Sequence, residues 1–89
     1  MEVSLKLYGI KSLKDKRSVV KPLIAKLRND FNCSVIESDA QDSHEIAVLS
    51  IATLNTSGPE LDTTLEIMLK AIFHKSSLEP IVTRREVFP

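Results

Sequence analysis

Nucleophilic or acid–base chemistry in this chain would have to come from His44, His74, Cys33 and Tyr8. None of them stands at a spacing that pairs a nucleophile with a base. The best group for a metal is Asp39, Asp42, His44 and Glu45, since carboxylates suit hard cations and imidazole suits transition metals. The plainer reading of that segment, which we prefer, is a solvated acidic turn ahead of a strand. His74 and Lys75, near the end of a helical pattern, complement a helix dipole. Only two glycines occur, so no Gly-rich phosphate loop exists. Cys33 has no second thiol for a disulfide or a zinc site, and its apolar setting reads as a small buried hydrophobe. We therefore expect no catalytic residue, no metal, no cofactor and no enzyme.

Charge carries more information. The formal net charge is zero, yet the charges are sorted along the chain. Residues 1 to 28 hold eight basic side chains against Glu2 and Asp15, and residues 29 to 66 hold eight acids with no Lys or Arg. On a helix turning about 100° per residue, Lys14, Arg17, Lys21 and Arg28 fall within about 60° of one another. Long basic side chains can serve only to keep a helix flank soluble. A solubilising flank usually mixes signs, however, and this stripe has no interleaved acid. Ahead of it, residues 8 to 12 lead into a helix start whose free N–H groups, with Lys11 and Lys14, could hold an anion. Acylphosphatases use such a loop, but their Gly-rich cradle and phosphate-holding arginine are absent here. Lys11, Lys14, Arg17, Lys21 and Arg28 are the candidate RNA- or anion-binding residues.

The elements that position them follow from periodicity. Val3, Leu5 and Leu7 alternate with Ser4, Lys6 and Tyr8 as in a strand with one face covered. After Gly9, Ser12 and Asp15 form a capping-box-like start for a helix whose apolar positions are Leu13, Val20, Ile24, Leu27 and Phe31. Pro22 falls inside it, so we expect a kink or an irregular first turn around residues 14 to 21. Lys16, which a straight helix would place in the apolar arc, supports that expectation.

A second strand, with Cys33, Val35 and Glu37, leads to the polar turn 39 to 43. Residues 46 to 54 are apolar at both parities, as in a strand covered on two faces. Ser57, Pro59 and Glu60 start a second helix along Leu61, Leu65, Met68, Leu69 and Ile72, and residues 80 to 88 form a last strand. Val3, Leu5, Leu7, Ile24, Leu27, Val35, Leu49, Leu65 and Leu69 are the expected core.

The order β-α-β-β-α-β is the ferredoxin-like plan of the α+β class. It gives an antiparallel four-stranded sheet of order 4-1-3-2 with two helices on one face, as a single domain over residues 1–89. The stretch SLKDKRSVVKPLIAKLRNDFNCSVIESDAQD, residues 12 to 42, resembles the opening of the YlxP-like family of small bacterial proteins of unassigned function. The Ser-Leu-Lys-acid-Lys-Arg start, the basic helix and the Asn after its Phe carry the resemblance. It implies a ferredoxin-like fold, no established enzymatic activity, and a link to ribosome maturation or translation through accompanying genes. It supplies no catalytic residues.

The resulting expectation is a non-catalytic cytoplasmic protein that contacts RNA or the ribosome through the basic stripe. No stretch approaches the roughly 20 apolar residues of a membrane span, and no signal-peptide pattern opens the chain. The central strand carries no aromatic for stacking bases, so RNA contact should be to phosphates. The alternative is a self-associating or regulatory module whose sheet face binds a protein or small ligand. Helices on one face would leave the other side of the central strand exposed, which favours a homodimer or larger homo-oligomer.

Overall fold

The computed structural model describes residues 1–88. The elements are β1 (Glu2–Lys6), α1 (Leu13–Asp30), β2 (Cys33–Asp39), β3 (Ile46–Thr53), α2 (Gly58–Ser76) and β4 (Ile81–Arg84). All pairings are antiparallel and the strands lie in the order β2-β3-β1-β4. That is the expected 4-1-3-2 sheet, a ferredoxin-like α+β fold.

Alternation in β1 sends Val3 and Leu5 to the helix side, where Ala47, Leu49 and Ile51 of β3 and Val35 of β2 join them. Val20, Leu23 and Leu27 of α1 and Leu65, Met68 and Ile72 of α2 close this core from above. Of the expected core residues, Ile24 and Leu69 are only partly buried and pack at its margin. Leu23 takes the position read for Ile24. Tertiary packing settled that choice: α1 turns the row of Lys16, Val20, Leu23 and Leu27 to the sheet and leaves Ile24 at its edge.

Ser12 caps α1, its hydroxyl accepting from the Asp15 N–H at 3.1 Å. Gly9, at φ +69, provides the left-handed turn between β1 and this cap. Of the kink or irregular first turn expected around residues 14 to 21, the irregular turn does not occur: residues 13–30, Pro22 included, form one continuous α-helix. Pro22 and Ser18 both face solvent, so the Ser18 carbonyl that lost its N–H partner can be hydrated. Lys16 does lie in the apolar arc of a regular helix, for a reason given below.

Ser57 caps α2 through the Glu60 N–H at 3.3 Å, with Pro59 in the first turn. The last strand is shorter than residues 80 to 88. β1 begins at Glu2, which pairs with Arg84, so its partner runs out. Arg85 instead turns toward Asp62 and Glu66 of α2.

Candidate nucleic-acid interface

Lys14, Arg17 and Lys21 are exposed on α1, and none has an ion-pair partner among the described residues. Lys26, on the other flank of the helix, is by contrast closed on Asp30 at 2.6 Å. The caps and apolar arc of α1 fix this orientation. Residues 16, 20, 23 and 27 must face the sheet, so 14, 17 and 21 cannot.

Arg28 is also exposed, but its guanidinium is committed. Nη2 donates to the Val35 carbonyl at 2.6 Å. It therefore joins α1 to β2 and stands apart from the three free cations. It also lies beside Cys33, whose thiol burial pushes up, with the Arg28 charge opposing that rise. Cys33 Sγ donates to the Leu27 carbonyl at 3.5 Å, in keeping with a packed thiol.

Lys11 lies in the loop before α1, off the stripe. Its backbone N–H donates to Asp15 Oδ2 at 3.2 Å. The Asp15 carboxylate thus takes up one of the N–H groups that an anion could use at this helix start.

Folding also brings the sorted charges together. The register Lys6↔Ile46 sets the start of β3 beside the end of β1, so the acidic β2–β3 turn lies at the same end of the sheet as the start of α1. There Lys16, 2% exposed, forms an ion pair with Glu37 Oε2 at 2.8 Å and donates to the Ala40 carbonyl at 2.7 Å. Ala40 holds a left-handed φ of +54, so Lys16 fastens a strained turn. This buried cation explains why a lysine stands in the apolar arc.

No cluster of three or more His, Cys, Asp or Glu suited to a metal occurs among the described residues, and His44 is exposed on the turn. No strand carries an aromatic residue. Tyr8, just past β1, has Lys6 Nζ 5.7 Å from its ring centre.

At the opposite end of the sheet, a groove of about 560 Å³ runs among Ile36, Ala52, Leu54, Leu61, Leu65 and Phe88. Of its charged side chains, Arg84 and Glu86 pair at 2.5 Å and Glu2 accepts from Thr83, and the rest of the lining is mainly apolar. The sequence pattern did not reveal it, because it depends on where residues 84 to 88 cross the end of β3 and α2.

Fold and surface together define a small ferredoxin-like domain with a basic helix flank. Comparison with known proteins places the chain more narrowly. It belongs to the family described as a protein of unknown function (DUF503), which matches residues 1–85. It is 32% identical over 82 residues to the uncharacterized protein YlxP of Bacillus subtilis (strain 168), covering 92% of this chain and 89% of that protein. The resemblance carried by residues 12 to 42 therefore extends across nearly the whole chain. No helix among the described residues is long and apolar enough to cross a membrane.

Proposed function

We propose that this is a non-catalytic cytoplasmic protein that contacts RNA, on the ribosome or its precursors, through Lys14, Arg17 and Lys21. The observation that supports it is the row of three exposed cations on one flank of α1, without ion-pair partners among the described residues. Residues 14 to 21 span about 10 Å along the helix axis, enough for neighbouring phosphates. Binding would rest on charge, with little preference for base sequence.

The test is RNA binding by fluorescence anisotropy across a salt series. Three phosphate contacts to single-stranded RNA give a slope of about −2 in log affinity against log salt, and each Lys or Arg to Ala change reduces it by about 0.7. Arg17→Glu with Lys21→Glu should abolish binding and leave the melting curve intact, since both side chains are exposed. Absence of RNA or ribosome association at low salt would sink the proposal. So would wild-type affinity in the double Glu variant.

A further inference from the structure

The helices cover one face of the sheet and leave the other open. On that face a row of side chains crosses β3, β1 and β4 as Val48, Ser4 and Ile81, set by the registers Ser4↔Val48 and Ser4↔Ile81. The next rows on either side place Glu2 between Ser50 and Arg84, whose charge is taken up by Glu86, and Lys6 beside Ile46. Opposite charges thus stand at equal distances from Ser4 on a central strand, around a middle of small and apolar side chains. Ile81 is 59% exposed and Ile46 37% exposed, whereas Val3, Leu5, Ala47 and Leu49 on the core side of β1 and β3 are fully buried.

We infer that this open face binds a second copy of the chain, about a two-fold axis lying along the Val48–Ser4–Ile81 row. The inference does not depend on the RNA reading. A half-turn about that axis keeps each strand over its own copy and reverses its direction. Val48 then meets Val48, Ser4 meets Ser4 and Ile81 meets Ile81, while Ile46 covers the partner's Ser50.

Glu2 faces the partner's Lys6, and symmetry makes this ion pair twice. Stacked sheets lie about 10 Å apart, a gap that two long side chains reaching toward each other can span. The present contacts of these charges leave them available. Glu2 accepts from Thr83 through Oε1 alone at 2.8 Å, and Lys6 lies over the exposed ring of Tyr8. A face carrying both signs in this arrangement is complementary to itself, as an isologous interface must be. Helices on the far sides of both sheets would leave the two basic stripes facing outward.

Sedimentation of the whole protein at micromolar concentration tests this. Wild type should have twice the 9.9 kDa mass of one chain. Lys6→Glu and Glu2→Lys each set like charges against one another twice, and each should weaken the dimer at least about tenfold. Mixed in equal amounts, these two variants should recover a heterodimer, because one then presents two acids and the other two lysines at the matching positions. A variant that does not melt cooperatively is replaced by Lys6→Gln or Glu2→Gln, which should weaken the wild-type dimer severalfold. A monomeric wild type overturns the inference, as does a dimer indifferent to these changes or a mixture that stays monomeric.

Discussion

Lys16 shows how one residue can mislead a pattern and still obey physical chemistry. Its stem crosses the apolar arc of α1, and its ammonium finds Glu37 and the Ala40 carbonyl at the far side. Glu37 Oε2 is shut off from solvent and accepts no other hydrogen bond among the described residues, so its charge relies on Lys16. Lys16→Ala should cost about 3 kcal/mol, the low end for breaking a buried pair, because the Glu37 side chain remains 22% exposed. Replacing both partners by Lys16→Met and Glu37→Leu should return stability to within about 1 kcal/mol of wild type. Urea unfolding measures both. A loss below about 0.5 kcal/mol for Lys16→Ala would class the pair with surface salt bridges.

At the scale of elements, α1 tolerates Pro22 because that position faces solvent. Proline in a helix interior costs about 3 kcal/mol relative to alanine, while its rigidity in the unfolded chain returns up to about 1 kcal/mol. Pro22→Ala should therefore raise stability by about 2 kcal/mol in urea unfolding; an unchanged midpoint would mean that α1 has already accommodated the ring.

Strand β2 shows a second device. Ile51 exchanges both backbone hydrogen bonds with Met1, so its other neighbour Val35 turns its own backbone groups to the free edge. Arg28 takes the Val35 carbonyl there, and Gln41 Nε2 takes the Glu37 carbonyl at 2.9 Å. An edge occupied in this way resists pairing with another chain. That role for Arg28 was hidden in the sequence, where it reads as one more member of a basic stripe.

For the whole molecule, order should fall from the middle of the sheet outward. β1 and β3 are paired on both sides and hold Val3, Leu5 and Leu49 fully buried, whereas all four residues of β4 are exposed. Hydrogen exchange should be slowest at Val3, Leu5 and Leu49 and fastest, among the strands, at Val82 and Thr83. Equal protection in β4 and β1 would show that the free edge of β4 is paired in solution.

Periodicity of the apolar residues determined the six elements, their order and most of the core, because burial on one face forces a repeat of two in strands and 3.6 in helices. Ser12 with Asp15 and Ser57 with Glu60 marked both helix starts for an equally local reason: each cap is completed within four residues. Only the tertiary structure decided what each charge does. Lys16, Arg28 and Arg85 find their partners on other elements, at Glu37, Val35 and Asp62, while Lys14, Arg17 and Lys21 find none among the described residues. Charge acts through space, and only the folded chain sets which distances are short.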